Sequence, residues 1–131
     1  MTEEGSLARQ AIPELLRRFA ARTPTPGGGA AAGLAGALGG ALGAMALRFA
    51  LPPEGAGGAL FDAAEGLERE AGFLAAGADE DCRAYEAVRT ARRLPKTTPE
   101  EKRVRAGAVD EATRGAMEAP LAMLGRLDSV S

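Results

Sequence analysis

The chain has 131 residues, a formal net charge of −2 and a single cysteine, and it contains no histidine. This length predicts one domain over residues 1–131. The small net charge gives no bulk attraction to nucleic acid, and aromatic residues, at 4%, are too few for a base-stacking platform. Without histidine, Ser-His and Cys-His catalysis is excluded, so acid–base chemistry falls to carboxylates, lysines, the cysteine or the one tyrosine.

The cysteine content and the N-terminal residues indicate a cytoplasmic protein. A lone Cys82 cannot form an internal disulfide and suits a reducing compartment. No signal peptide is expected, because the chain opens with Glu3 and Glu4 and lacks an apolar core there. No metal site is predicted, since scattered carboxylates without histidine or a second cysteine form no recognisable ligand set.

An all-α fold is predicted, because no stretch alternates β-branched or aromatic residues with polar ones. The first helix is expected over residues 7–21, with Pro13 at a kink or at the true start of the helix. Its expected apolar face comprises Ile12, Leu15, Leu16 and Phe19.

Residues 24–29 read P-T-P-G-G-G and lead into a helix expected over residues 30–50. The prolines favour an extended approach, and the glycines allow the backbone almost any turn. A glycine-rich loop at a helix start is a physical arrangement for binding an anion. The alternative is a plain helix–helix connection in which glycine lets a neighbour pack closely. The spacing matches no nucleotide-binding fingerprint.

The helix expected over residues 30–50 has no charged residue before Arg48, so two interpretations arise. A membrane span is one of them. The abundance of alanine and glycine and the lack of flanking aromatic anchors favour instead the buried central helix of a soluble bundle, without membrane contact. Its bulky stripe is Leu34, Leu38, Leu42, Met45 and Phe49.

A long helix is expected over residues 59–94, with a break near Gly77 as an option. Its predicted seam is Leu60, Ala64, Leu67, Ala71, Leu74, Ala78, Asp81, Tyr85 and Val88. A bare carboxylate at Asp81 is costly to bury, which marks that residue as a functional candidate. Alternatively, residues 79–81 are a solvated acidic run, and a bend at Gly77 turns Asp81 outward.

The last helix is expected from Thr98 to residue 127. Pro99 at its first position and Glu101 three residues after Thr98 form a capping box. Pro120 deprives the carbonyl of Ala116 of its helical partner, so a kink is expected there.

Three motifs occur in order along the chain: P-T-P-G-G-G before an Ala/Gly helix, D-x-x-A-Y at residues 81–85, and A-R-R-L-P-K-T-T-P-E-E-K-R-V-R at residues 91–105. This order resembles the cyclodeaminase/cyclohydrolase family, the folate-active C-terminal part of formimidoyltransferase-cyclodeaminase and its stand-alone bacterial relatives. The resemblance extends over residues 15–124 and includes the A-P-L around Pro120.

The resemblance implies a dimeric helical bundle that acts on tetrahydrofolate carrying a one-carbon group. One reaction closes 5-formimidoyl-tetrahydrofolate to 5,10-methenyl-tetrahydrofolate with loss of ammonia, and the other hydrates the methenyl bridge to 10-formyl-tetrahydrofolate. It also implies that the folate is a substrate and that no prosthetic group is bound.

Site residues follow from the same resemblance. We expect Asp81 as the catalytic acid or base, with Lys96 either assisting on the pterin side or neutralising the glutamate tail. Arg105 is a second candidate for that tail, and Tyr85 lies one turn from Asp81. The expected substrate-binding loop is Pro26, Gly27, Gly28 and Gly29.

A second hypothesis comes from a different class of protein. Members of this family usually continue through further helices with a Ser-Asp motif, whereas this sequence ends with G-R-L-D-S-V-S. The alternative is therefore a non-catalytic relative that binds folate or another anion, or that only assembles as a helical dimer. Under either hypothesis a homodimer or higher homo-oligomer is expected, because a helix of about 36 residues spans roughly 54 Å and exceeds a compact domain of this size.

Overall fold

A computed structural model describes residues 5–52 and 57–128, in which a short 3-10 helix, Leu7–Arg9, precedes four α-helices. The α-helices are α1 (Ile12–Ala20), α2 (Gly28–Ala50), α3 (Ala59–Arg92) and α4 (Pro99–Asp128). No strand occurs in these two ranges. The prediction of an all-α bundle of four main helices, one of them long, is confirmed.

The central helix is α3, which packs against both α2 and α4. The prediction that α2 is the buried central helix is wrong for the single chain. Its bulky stripe is largely exposed, with 64% of Leu38 and 83% of Phe49 accessible. By length and composition alone, α2 also qualifies as a possible membrane-spanning helix.

The small residues of α2 face α3. A Cβ atom at Gly33 would lie 2.8 Å from the carbonyl oxygen of Leu74, which is closer than real Cβ contacts allow. A Cβ atom at Gly40 would lie 3.2 Å from the carbonyl oxygen of Leu67. The two helix backbones therefore approach closely along a glycine face, and this leaves the bulky side chains on the other side of α2.

The helix α3 runs without interruption through Gly77, so the optional break is absent. A Cβ at Gly77 would lie 2.8 Å from the Met123 sulfur, which shows that this glycine makes room for α4. The predicted seam is buried in its middle, at Ala64, Ala71, Leu74, Ala78 and Val88. Its members Leu60 and Tyr85 stay exposed.

The N-terminal segment is anchored on α3 and α2. Leu7 is fully buried in a cluster with Ala30 and Ala78, against which Leu15 and Phe19 of α1 also pack. Pro13 stands in the first turn of α1, so of the two alternatives the helix start is correct and the kink is not. The predicted start at residue 7 is wrong, because residues 7–9 form a separate 3-10 helix. The other two residues of the predicted α1 face, Ile12 and Leu16, are exposed.

The predicted capping box opens α4. The Glu101 amide donates to Thr98 Oγ1 over 3.1 Å, and the Thr98 amide donates to Glu101 Oε2 over 3.0 Å. The Thr97 amide donates to the same carboxylate oxygen over 2.8 Å. These bonds satisfy helix-start groups that would otherwise lack partners, and they confirm the predicted start of α4.

Candidate functional site

A cleft of about 300 Å³ lies where the N-terminus of α2 meets α3 and α4. We call it the Asp81 cleft. Its lining residues are Pro24, Thr25, Gly27, Gly28, Gly29, Asp81, Tyr85 and Ala116. The structure thus brings together the glycine loop, the aspartate and the tyrosine that the sequence motifs singled out separately.

The half-buried Asp81 points inward, toward the start of α2. Its Oδ2 accepts a hydrogen bond from the amide of Ala30 over 3.0 Å. The α2 N-cap, Gly27, has no side chain to cap the helix, so a carboxylate from α3 satisfies one of its free amides. Among the described residues none donates to Oδ1, which packs against the backbone of Gly29, another residue that lines the cleft.

Glycine at position 29 is required for this arrangement. A Cβ there would lie 2.6 Å from Asp81 Cγ and 2.8 Å from Oδ2, and closer still to Oδ1. The predicted close-packing role of the glycine loop is therefore confirmed. The helix begins at Gly28, two residues earlier than predicted, and the group at its N-terminus is the protein's own carboxylate.

Two further amides at the start of α2 remain for a ligand. As first residues of the helix, Gly28 and Gly29 have no intrahelical acceptor for their N–H groups, and no other described residue accepts from them. Nothing lies within 4 Å of a Cβ built at Gly28, so the cleft is open on that side. Amide donors at the positive end of a helix favour an oxygen that carries negative charge.

Tyr85 lines the same cleft one helical turn beyond Asp81, and 40% of it is exposed. Tyr85 and Asp81, both within the described residues, do not form a hydrogen bond with each other. The tyrosine therefore forms part of the cleft wall, where its hydroxyl is accessible to a bound molecule.

The other predicted site residues lie outside the Asp81 cleft. Pro26 is buried within the loop that precedes α2, and Lys96 is exposed between α3 and α4. Arg105 Nε donates to the carbonyl of Arg92 over 3.2 Å and so ties α4 to the end of α3. Along α3, Asp81 and Arg92 are about 16 Å apart at 1.5 Å per residue. The roles of Lys96 and Arg105 stay predictions.

A second cavity of about 220 Å³ adjoins the first, and Gly29 lines both. Its walls are apolar side chains and glycines, namely Gly29, Ala32, Gly33, Gly36, Leu74, Pro120, Met123 and Leu124. We call it the Pro120 cavity. Sequence reasoning missed it, although the glycine spacing of α2 and the proline inside α4 were both visible signals.

Asp79 belongs to the same acidic run as Asp81, but its role is structural. It is buried, and its Oδ1 accepts from the amide of Leu7 over 2.8 Å. Two residues along a helix correspond to about 200°, so Asp79 and Asp81 leave α3 in nearly opposite directions. Sequence reasoning grouped the two and did not predict this bond.

Cys82 packs against the cluster around Leu7. Burial raises the pKa of its thiol, and the neighbouring charge of Asp81 raises it further. The thiol is therefore protonated at neutral pH and is a poor nucleophile. Within the described ranges, no group of three or more acidic or cysteine side chains is arranged to hold a metal ion.

A sequence profile of the formiminotransferase-cyclodeaminase family matches residues 11–130, nearly the whole chain. The chain belongs to this family. The matched span includes every residue that lines the Asp81 cleft and the Pro120 cavity. The resemblance inferred from the three motifs is confirmed.

Two curated relatives of this formiminotransferase-cyclodeaminase family member are informative. It is 36% identical over 116 residues to a methenyltetrahydrofolate cyclohydrolase of Methylorubrum extorquens. The aligned residues make up 86% of this chain and 56% of the relative. It is 51% identical over 45 residues to formimidoyltransferase-cyclodeaminase of Sus scrofa. That shorter alignment makes up 34% of this chain and 8% of the relative. The chain thus spans about half the length of the bacterial relative.

Proposed function

We propose that the protein is a methenyltetrahydrofolate cyclohydrolase that uses Asp81 as its general base. The observation that carries the proposal is the carboxylate of Asp81, a residue that lines the cleft, with Oδ2 held by the Ala30 amide and Oδ1 without a hydrogen-bond donor among the described residues. The similarity to a relative of that name, over 86% of this chain, supports the choice of reaction.

The chemistry requires a water molecule to be deprotonated as it attacks. The methenyl carbon is part of a cationic N–C–N system, and a nearby carboxylate attracts it. Water adds to this carbon while its proton passes to Asp81 Oδ1, which gives a neutral tetrahedral adduct. The bond from this carbon to N5 then breaks, N5 takes a proton, and the oxygen becomes the 10-formyl carbonyl. One proton is released overall.

The start of α2 supports this step. The free amides of Gly28 and Gly29 can donate to the oxygen that gains negative charge as the adduct opens. Because Oδ2 is fixed by Ala30, the carboxylate keeps one orientation and needs no rearrangement during the reaction. Tyr85 supplies a wall and a hydroxyl at the mouth of the cleft.

We propose that the folate is the substrate, that no prosthetic group is bound and that the enzyme is cytoplasmic. A reduced folate is an elongated molecule with a glutamate at the end opposite its pterin ring. Arg105 binds the carbonyl of Arg92, which lies about 16 Å along α3 from Asp81, and Lys96 follows α3 at that same end. This placement suits contact with the glutamate carboxylates, rather than with the reacting carbon.

The cyclodeaminase reaction is a second candidate for the same cleft. The similarity to the formimidoyltransferase-cyclodeaminase of Sus scrofa, 51% identity over 45 residues, favours it. Loss of ammonia needs a proton delivered to the leaving nitrogen, and a protonated Asp81 would deliver it. The two activities therefore share a residue but use it in opposite protonation states.

We also propose a homodimer. In the single chain, large apolar side chains of α2 are exposed to solvent, and those of α4 are too, such as Leu121. An exposed apolar surface of this kind marks an interaction site. A second copy is the proposed partner, because the small net charge gives no bulk attraction to nucleic acid and the abundance of alanine and glycine in α2 favours protein packing over a membrane span.

The decisive experiment follows the near-ultraviolet absorbance of 5,10-methenyl-tetrahydrofolate with the wild-type chain and with Asp81→Asn. The asparagine still accepts from Ala30 but is no base, so the fold persists while the rate falls by about 10²- to 10⁴-fold. Asp62→Asn, an exposed change in the same helix, is the matched control and keeps full activity.

Other outcomes separate the alternatives. A wild-type rate no faster than buffer, with activity on the formimidoyl substrate, would identify the cyclodeaminase. Folate binding without either reaction would identify the non-catalytic relative. Full activity in Asp81→Asn would reject the assigned base while leaving the enzyme class in place.

A further inference from the structure

The helix α4 contains a proline, Pro120, in its interior. Proline has no N–H, so the carbonyl of Ala116 lacks the donor that a residue four positions later supplies elsewhere in a helix. Ala116 lines the Asp81 cleft. A residue whose backbone carbonyl lacks its helical partner thus borders the proposed active site.

Pro120 borders the adjoining apolar cavity, together with Leu74, Met123 and Leu124. One turn of α4 therefore contributes to both spaces, through Ala116 at one end of the turn and Pro120 at the other. Gly29 forms the boundary between them. A flat ring that enters the apolar cavity would have its polar edge near the Ala116 carbonyl and the start of α2.

We propose that the Ala116 carbonyl is a positioning and specificity-determining group, which accepts a hydrogen bond from an N–H of the substrate ring. This inference rests on the proposed folate function. The pterin ring carries adjacent N–H and amino donors along one edge, and a carbonyl accepts from such donors. The Pro120 cavity contacts the face of the ring, and the hydrogen bond to the Ala116 carbonyl fixes the orientation of the ring relative to Asp81.

The two other boundaries of the cleft are not equivalent partners for the donor edge of the ring. The start of α2 presents amide donors, which repel a second donor. Asp81 has one oxygen engaged by Ala30, and its other oxygen is required for the proton transfer. Ala116 contributes an acceptor that takes no part in the reaction itself.

The test is Pro120→Ala, which restores an N–H at position 120 and allows it to pair with the Ala116 carbonyl. We expect an equal or higher thermal midpoint, because alanine suits a helix interior better than proline. The dissociation constant for the stable probe 5-formyltetrahydrofolate, measured by calorimetry, should rise by about tenfold. The Michaelis constant should rise in parallel, with a smaller change in the turnover number.

A backbone ester separates the restored N–H from the lost pyrrolidine ring. Lactic acid placed at position 120 by chemical ligation has the side chain of alanine but, like proline, no N–H. It should bind the probe as the wild-type chain does. Unchanged affinity in Pro120→Ala, or an equal loss in both variants, would overturn the assignment and leave the folate function intact. A wild-type chain that binds no probe would instead refute the folate function, and this inference with it.

Discussion

The carboxylate of Asp81 lies against the backbone of Gly29, and no side chain could be placed between them. Its Oδ2 caps α2 through the Ala30 amide, 51 positions away in sequence. One contact therefore serves both the packing of α2 on α3 and the orientation of the proposed base. Asp81 therefore has a structural role and a proposed chemical role at once. Separating the two requires substitutions that affect stability and activity to different extents.

Gly29→Ala should abolish most activity without unfolding the protein. The added methyl group displaces the carboxylate, and a misplacement of about 1 Å at a catalytic group costs on the order of 100-fold in rate. Loss of the cap should lower the free energy of unfolding by about 1 kcal/mol. The measurements are initial rates on methenyl-tetrahydrofolate and urea unfolding. Wild-type rates in this variant would show that the carboxylate position is unimportant.

Gly33→Ala should destabilise the chain, because its Cβ would lie 2.8 Å from the Leu74 carbonyl oxygen and force the helices apart. Overpacking of this kind costs about 1–3 kcal/mol. The matched control is Gly72→Ala in α3, where nothing lies within 4 Å of the new Cβ. That change should stabilise the chain by about 0.5–1 kcal/mol through helix propensity. Equal effects at the two sites, measured by urea unfolding, would contradict the close approach.

Asp79→Ala should destabilise the N-terminal segment. It leaves the amide of the fully buried Leu7 without an acceptor, which costs about 1–3 kcal/mol. Asp79→Asn keeps a carbonyl oxygen for that amide and should cost less. Urea unfolding of both variants tests this order, and activity per folded molecule should be retained in each. An equal loss in the two variants would mean that the charge of Asp79, rather than its hydrogen bond to Leu7, matters for stability.

Local signals were sufficient to predict much of the fold. The Thr98–Glu101 capping box placed the start of α4, and the apolar spacing of α3 predicted a long helix with a continuous seam, of which only part is buried. Pro13 marked the start of α1. These features depend on interactions between residues that are close in sequence, so the amino-acid sequence alone is enough to predict them.

The orientation of α2 could not be predicted from bulk hydrophobicity. Its large side chains suggested a buried stripe, but the glycine face packs on α3 because small residues permit a closer approach of the backbones. The Leu7–Asp79 bond joins residues 72 positions apart, and no local pattern indicates it. For the candidate site, the motif order predicted that the glycine loop, Asp81 and Tyr85 belong together, whereas the Pro120 cavity depends on how α2 and α4 meet over α3.

The capping box should make stability depend on pH through Glu101. Hydrogen bonds from the Thr98 and Thr97 amides lower the pKa of its carboxyl below the ordinary 4.5. A lowered folded pKa means that the stabilisation is complete above the unfolded pKa and is lost as the pH falls through the folded value. The stability difference between the wild type and Glu101→Gln should therefore be larger at about pH 7 than at about pH 3.

Thr98→Ala is the control for that experiment. Its hydroxyl oxygen accepts from the Glu101 amide and does not titrate in this range. The substitution should cost about 1 kcal/mol at either pH. A pH-independent difference for Glu101→Gln, measured by urea unfolding, would show that its carboxylate adds nothing to the cap.

The exposed stripe of α2 should hold two copies of the chain together. Phe49 is 83% exposed and Leu42 is 51% exposed in the single chain. Phe49→Glu and Leu42→Glu each place a charge where the proposed dimer buries apolar surface, so sedimentation velocity should show a shift from dimer to monomer. Thr113→Glu, which adds the same charge at an exposed polar position of α4, should leave the dimer intact. A monomeric wild type would reject the dimer, and binding of the wild type to phosphatidylcholine vesicles, lost in Phe49→Glu, would instead assign the stripe to a membrane.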